Sequence, residues 1–181
     1  MLAALDVWQD GAYLYRTTPR EQGAPQSSAY GPLDVRALDE ESMVRVLTEP
    51  RNALTRQYES VYAAVGIQPN YVAEAKPDDW DQIERLAAEE KVVAIGETGL
   101  DFFRDIAPRA AQEKVFEAQL AVACDHGMPV FLHQRDAHDR FLPILREHLP
   151  HLPRAVVHCF TDSGQALEDY LGVGCYIGIT G

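Results

Sequence analysis

The chain has 181 residues and a mass of 20.2 kDa, with 46% hydrophobic and 24% charged residues, the composition of a globular domain that buries a hydrophobic core. Sixteen Lys and Arg against 28 Asp and Glu give a net charge of −12, which excludes a basic protein that coats nucleic acid through bulk charge attraction. No apolar run reaches the roughly 18 residues of a membrane span, and no basic stretch precedes an apolar one at the N-terminus. We therefore expect a cytoplasmic protein without a signal peptide.

Residues 1–52 differ in kind from the rest of the chain. Gly and Pro interrupt them repeatedly, and the only helical stretch predicted there is about Glu40–Leu47. We expect this segment to be a loosely packed extension or a divergent start to the fold. The predicted division is a segment of residues 1–52 followed by a domain of residues 53–181.

From Val61 onward, short apolar runs alternate with amphipathic stretches. Turn signals such as Pro69-Asn70 separate the two kinds of segment, and acidic residues such as Asp78 and Asp79 favour a helix start. The predicted order is strand Val61–Ile67, helix Trp80–Ala88, strand Val92–Gly96, helix Arg109–His126, strand Pro129–His133, helix Ala137–Leu149, strand Ala155–Phe160, helix Gln165–Leu171 and strand Cys175–Ile179.

Continuously apolar strands that alternate with helices predict an α/β fold with a parallel sheet covered on both faces. Five such strands form either an open doubly wound sheet or an arc of a (β/α)-barrel. A closed barrel takes about 250 residues. We therefore expect an incomplete barrel of about five βα units if the sheet is of the barrel type.

Three successive predicted strands end in a ligand for a divalent metal ion. Glu97 follows the strand that ends at Gly96, His133 ends the next strand, and His158 lies at the end of the one after. The carboxyl ends of parallel strands meet at one edge of a sheet, where sites are built. Imidazole nitrogen and carboxylate oxygen suit zinc, manganese or iron, and also magnesium when phosphate and water complete the shell.

Other polar residues stand near the same edge. Asp101 is a candidate for placing phosphate or water, and Arg135 for clamping a phosphate in bidentate geometry. A salt bridge from Arg135 to Asp101, Asp136 or Asp139 is an equal alternative. Asp162 or Ser163 is expected to cap the following helix. The cysteines, Cys124, Cys159 and Cys175, lack metal-knuckle spacing and are interpreted as buried, reduced thiols.

Four blocks of the sequence together resemble the TatD family of metal-dependent deoxyribonucleases. Each block is typical of the family, and all occur in its order and spacing. The resemblance runs from about Ala53 to Gly181. The blocks are Ala94–Phe102, Pro129–Ala137, Val156–Phe160 and Tyr176–Ile179.

This resemblance implies a TIM-barrel fold of the amidohydrolase type and hydrolysis of phosphodiester bonds. Bacterial members act as 3′-5′ exonucleases on single-stranded DNA and RNA, which implies a nucleic-acid substrate and a place in DNA repair. Glu97, His133 and His158 match the family's metal ligands, with Glu97 placed to bridge two ions, and Glu97, Asp101 and Arg135 are the expected catalytic residues. We expect Mg²⁺ first, with Mn²⁺ or Zn²⁺ as alternatives, and a monomer.

The sequence departs from the family pattern in three places. Residues 1–52 contain no His, so the usual His-x-His pair is absent. Gln68-Pro69-Asn70 stands where the family commonly has His-Pro-His. The family's Glu-Thr-Asp-Ala-Pro block does not occur before Gly181, and its Asp is the implied general base. A positioned base contributes about 10²–10⁴ in rate, so weakened or lost activity is one expectation.

Two alternatives stay open at this point. One is a related hydrolase of the amidohydrolase type that acts on a small amide or ester. The other is an inactive fragment with a structural or binding role, whose exposed sheet edges favour pairing with another chain.

Overall fold

The computed structural model describes residues 4–9, 12–17 and 61–179. The predicted helix Glu40–Leu47 lies outside these residues. No helix in the described part is long and apolar enough to cross a membrane. The elements in chain order are β1 (Ala4–Gln9), β2 (Ala12–Thr17), β3 (Val61–Gly66), a 3₁₀ helix (Pro69–Glu74), α1 (Pro77–Ala87), β4 (Val92–Asp101), α2 (Arg109–Asp125), β5 (Val130–Arg135), α3 (His138–His148), a 3₁₀ turn (Leu149–His151), β6 (Ala155–Val157), α4 (Gly164–Gly172) and β7 (Tyr176–Ile177).

The described strands form one sheet in the order β2-β1-β3-β4-β5-β6-β7. Strands β3 to β7 are parallel, and each pairs with the next one along the chain. A doubly wound sheet reverses its strand order at a switch point, whereas a barrel adds each strand beside the previous one. The five parallel strands confirm the predicted α/β class, and their sequential order is that of a barrel.

Strands β1 and β2 form an antiparallel hairpin at the β3 edge of the sheet. Strand β1 pairs antiparallel with β3, with Leu5 opposite Val65. Neither strand was predicted from the sequence, although the dipeptide Asp10-Gly11 between them in the sequence is typical of tight hairpins. The edge of β3 is therefore paired with β1.

The two faces of the parallel sheet are covered differently. One face packs against the helices in a large core that includes Ile95, Leu132 and Phe116. The other carries a small cluster of Ala64, Ala94 and Phe131, with Val156 packed against it, and none of its described members comes from a helix. Of the two faces expected to be covered, helices therefore cover only one among the described residues, and the second is the inner face of a barrel-type sheet.

The strands that carry the site residues differ in length from their predictions. Strand β4 continues to Asp101 rather than ending at Gly96, because Thr98 to Asp101 pair with Leu132 to Arg135 of β5. Strand β6 ends at Val157, three residues earlier than predicted. Helix α1 begins at Pro77 rather than Trp80, where the Asp79 side chain accepts a hydrogen bond from the backbone N–H of Lys76.

The three cysteines are free thiols in the structure. Only Cys175 is fully buried, and burial raises the pKa of its thiol to about 11. The predicted burial of Cys124 and Cys159 is wrong, since both are partly exposed, Cys124 near the C-terminal end of α2 and Cys159 in the loop after β6.

Candidate metal centre

Glu97 reaches the inner face of the sheet through a bulge in β4. Gly96 pairs with Phe131 and Thr98 pairs with Leu132, so Glu97 is the extra residue between two paired positions. Regular alternation from Ala94 would direct Glu97 towards the helices. The bulge reverses this direction, which is a common use of bulges beside active sites.

His133 and His158 reach the same face by regular alternation. Each lies two residues after an inner-face residue, Phe131 in β5 and Val156 in β6. The His158 ring stacks on Phe131 with 4.4 Å between ring centroids. The two strands therefore place both imidazoles next to the carboxylate of Glu97.

The three side chains form one compact cluster. Oε1 of Glu97 lies 2.8 Å from Nδ1 of His133 and 2.5 Å from Nε2 of His158. One possible ligand atom from each residue lies within 4.8 Å of the others. Glu97 is fully buried and His158 nearly so, whereas His133 is partly exposed. The structure thus brings together all three sequence-predicted metal ligands at the predicted edge.

The electrostatics of this cluster favour positive charge. Burial would lower the pKa of both imidazoles, but neighbouring groups outweigh it. Hydrogen bonds with Asp101 and Glu97 raise the pKa of His133, while contacts with Cys159 and Glu97 raise the pKa of His158 to about 9. Two nitrogens and one oxygen are a donor set that divalent ions accept. Donor chemistry and buried negative charge therefore both fit a divalent cation.

Asp101 is buried and touches the cluster through His133. Its Oδ2 atom lies 3.1 Å from Nε2 of His133 and accepts a hydrogen bond from Nδ2 of Asn70, while Oδ1 accepts one from the backbone N–H of Arg104. Burial would raise the pKa of Asp101, but these hydrogen bonds outweigh it and lower the pKa to about 2. This placement favours contact with His133 over contact with a phosphate for Asp101.

Asn70 is a site residue that the sequence analysis did not identify as one. It is buried and donates to Asp101 across 3.1 Å. Its Oδ1 atom has no hydrogen-bond partner within the described part of the chain. The side chain of Gln68 accepts from the backbone N–H of Asn70 and caps the 3₁₀ helix. The sequence feature that could have identified Asn70 is the difference from the family pattern at Gln68-Pro69-Asn70, because the family commonly has imidazoles at these positions.

Gln119 holds the turn before Asn70 against the site strand. Its side chain accepts from the backbone N–H of Ile67 across 2.6 Å and donates to the Ile67 carbonyl and to Oγ1 of Thr98. A Cβ atom at Gly66 would lie 2.6 Å from Oε1 of Gln119, so the close approach requires a glycine there. This amide joins α2, β3 and β4 behind the metal ligands.

Arg135 lies beside an aromatic ring rather than a carboxylate. Its guanidinium lies 4.1 Å from the ring centroid of Phe103. No ion pair joins Arg135 to Asp101, Asp136 or Asp139 among the residues that the structure describes. The salt-bridge alternative is therefore not observed, and the guanidinium is exposed at the end of β5.

The remaining polar groups near the edge have structural partners. The Ser163 hydroxyl caps α4 by accepting from the backbone N–H of Ala166, as predicted for Asp162 or Ser163. Asp162 accepts from the side chain of Gln134. Nδ1 of His138 contacts the Tyr170 hydroxyl at 2.9 Å.

The chain is similar to proteins of one known family. The chain matches the family described as TatD related DNase over residues 39–181, which includes the last part of the segment 1–52. It is 50% identical over 119 residues to the 3′-5′ ssDNA/RNA exonuclease TatD of Dickeya dadantii (strain 3937), covering 66% of this chain and 45% of that protein. It is 45% identical over 128 residues to the protein of the same name from Escherichia coli (strain K12), covering 71% and 49%.

Two solved structures of TatD-family proteins are also similar to this chain. A crystal structure of a TatD homologue from Escherichia coli K12 matches with a TM-score of 0.65 at 34% identity, covering 76% of this chain and 51% of that one. A TatD-family hydrolase from Entamoeba histolytica matches with a TM-score of 0.56 at 25% identity, covering 64% and 40%. The match confirms the predicted fold class, and the chain spans about half the length of the curated relatives that it matches. Because the family match covers most of the residues, the chain belongs to the TatD related DNase family.

Proposed function

We propose that this chain is a metal-dependent phosphodiester hydrolase of the TatD type, which removes nucleotides from the 3′ end of single-stranded DNA or RNA. The observation that carries the proposal is the cluster of Glu97, His133 and His158, whose ligand atoms lie within 4.8 Å of one another. The relatives named 3′-5′ ssDNA/RNA exonuclease TatD supply the substrate class.

Glu97 and the two imidazoles would hold the metal ion. A bound divalent ion lowers the pKa of a water molecule and neutralises charge on phosphate oxygens. The chain's own residues prepare the site, because Glu97 provides a buried negative charge and His133 and His158 provide nitrogen donors when they lose their protons. We propose Mg²⁺ or Mn²⁺ as the activating ion, with Zn²⁺ as the alternative.

Asp101 and Arg135 act around this centre. Asp101 accepts a hydrogen bond from Nε2 of His133, which orients the ring and leaves Nδ1 directed at Glu97. Arg135 would contact a phosphate of the substrate strand, because its guanidinium is exposed and matches phosphate oxygens in bidentate geometry. Asp101 is thus proposed as a positioning residue and Arg135 as a substrate-binding one.

Digestion of labelled single strands tests the proposal. DNA and RNA oligonucleotides labelled at the 5′ end are incubated with Mg²⁺, Mn²⁺ or Zn²⁺, beside a chelator control and the His133→Ala protein. We expect progressive shortening that disappears in both controls. His126→Ala is the matched control, since His126 is an exposed residue at the end of α2, and it should digest like the wild type.

Other results would contradict the proposal in different ways. If the 5′ label were released as a mononucleotide at the start of the reaction, the protein would digest strands from the 5′ end, against the proposed 3′-5′ direction. Hydrolysis of p-nitrophenyl acetate without digestion of either strand would favour the amide or ester hydrolase. No digestion by a protein that melts cooperatively would favour the inactive fragment. A cytoplasmic location, a monomeric state and a role in DNA repair stay predictions.

A further inference from the structure

Two large apolar side chains are exposed in the segment that follows β4, the strand that carries Glu97. Phe103 is 59% exposed and Ile106 is 57% exposed. Both lie between β4 and α2, shortly after Asp101, at the end of the strand that carries Glu97.

The segment that carries Phe103 is fixed at its base by buried groups. Oδ1 of Asp101 accepts from the backbone N–H of Arg104 across 2.9 Å. The buried Gln112 side chain accepts from the backbone N–H of Asp101 and donates to the Ala107 carbonyl, so it joins the two ends of the segment. Phe103 is therefore presented by a preorganised turn.

Arg135 is held on the same surface. Its backbone carbonyl accepts from the N–H of Phe102 across 2.9 Å, and its guanidinium lies 4.1 Å from the Phe103 ring centroid. Arg135 follows the metal ligand His133 by two residues in β5. One positive charge and one aromatic ring thus stand together beyond the metal centre, in a chain whose net charge is −12.

We propose that Phe103 and Arg135 form a stacking platform for a base of a single-stranded nucleic acid whose scissile phosphate lies at the metal centre. This inference rests on the proposed function and identifies how its substrate is recognised. Aromatic rings stack on any base, while a neighbouring guanidinium contributes cation–π and phosphate contacts. The platform therefore binds without sequence preference. It also favours single strands, because duplex bases are already stacked on one another.

Binding of hydrolysis-resistant strands tests the platform. The probes are a fluorescent phosphorothioate oligothymidylate and an abasic strand of the same length, titrated by anisotropy with a chelator and again with Mn²⁺. We expect Phe103→Leu to weaken oligothymidylate binding by about tenfold, within the range of base–aromatic stacking, and Phe103→Tyr to restore it. The abasic strand should bind wild type and Phe103→Leu equally.

Tyr62→Leu is the matched control. Lys91 lies 4.5 Å from the ring centroid of Tyr62, so this is a second exposed cation–π pair. Tyr62 lies at the start of β3, whereas the metal centre lies at the other end of the parallel strands. Its replacement should leave binding of the oligothymidylate and of the abasic strand as in the wild type. A matching thermal melt of Phe103→Leu shows that the fold is retained.

Three outcomes would overturn the platform: equal oligothymidylate binding by wild type and Phe103→Leu, an equal loss of affinity for the abasic strand, or no wild-type binding in either buffer. Because the assay needs no hydrolysis, it separates the two proposals. A wild type that binds strands through Phe103 but cuts none retains the platform and contradicts the nuclease.

Discussion

Nε2 of His133 lies 3.1 Å from Oδ2 of Asp101, while Nδ1 of the same ring lies 2.8 Å from Oε1 of Glu97. A neutral ring with its hydrogen on Nε2 donates to Asp101 and presents the lone pair of Nδ1 to the cluster. Carboxylates that orient metal-binding imidazoles in this way fix both the tautomer and the ring position. Asp101 therefore links two neighbouring segments to the metal centre. Its carboxylate accepts hydrogen bonds from the side chain of Asn70 and from the backbone N–H of Arg104, next to Phe103.

Replacing Asp101 by Asn tests this connection. Asp101→Asn keeps the shape but removes the charge, and loss of an outer-shell partner costs about 10- to 100-fold in metal affinity. We expect a fall of this size in the Mn²⁺ affinity measured by calorimetry. Asp162→Asn is the control, because Asp162 hydrogen-bonds Gln134 and not the cluster. Wild-type affinity in Asp101→Asn would contradict the positioning role.

Removal of either imidazole should reduce metal binding further. His133→Ala and His158→Ala each delete a nitrogen donor, so we expect a larger loss than the roughly 100-fold upper value for an outer-shell partner. Calorimetric titration with Mn²⁺ measures it, and His126→Ala serves as the unaffected control. If both variants bound Mn²⁺ like the wild type, the assignment of the cluster would be wrong.

Metal affinity should increase with pH. A protonated imidazole must lose its proton before it binds a metal, and the pKa of His158 is raised to about 9. We expect Mn²⁺ affinity to rise between pH 6.5 and about 9 and then to level off. The stability of the metal-free protein should change with pH in the opposite direction. The raised pKa of His158 stabilises the fold below pH 6.5, the pKa of the unfolded state, and this contribution is lost as the pH rises through about 9. An affinity independent of pH would contradict the proton competition.

Gly99 should not tolerate a side chain. Its φ is 141°, and a Cβ atom there would overlap the carbonyl oxygen of His133. The backbone conformation alone costs a non-glycine residue about 1–3 kcal/mol, so Gly99→Ala should lower the free energy of unfolding by at least this amount in urea titrations. Gly172→Ala is the control, since its Cβ would meet open space in a helix and should stabilise by about 0.5–1 kcal/mol.

Gln119→Leu should destabilise the protein although it places an apolar side chain in the core. The change leaves the N–H and carbonyl of Ile67 and the Thr98 hydroxyl without their partner. Each buried unsatisfied group costs about 1–3 kcal/mol, so we expect a loss of more than about 2 kcal/mol in urea titrations. Gln165→Leu, at an exposed position, should stay within about 0.5 kcal/mol of the wild type.

Much of the fold could be predicted from local pattern. The run Val130–Leu132 is continuously apolar, and all three of its residues are buried, so a strand of the core is visible in the local sequence. Strands β1 and β2 were missed although Asp10-Gly11 is a local hairpin signal, whereas the pairing of β1 with β3 joins segments far apart in the sequence. Local propensity does not contain that information.

The sequence by itself determined the donors of the site, because the identities of Glu97, His133 and His158 and their positions after apolar strands are local facts. Only the tertiary structure decided where these donors point. Regular alternation would send Glu97 towards the helices, and the bulge against β5 turns it to the inner face. The partners of Asp101 likewise depend on how β4 and the turn at Asn70 pack together, which pairs residues 31 positions apart. Side-chain chemistry is encoded residue by residue, whereas register and contact arise only when distant segments share one core.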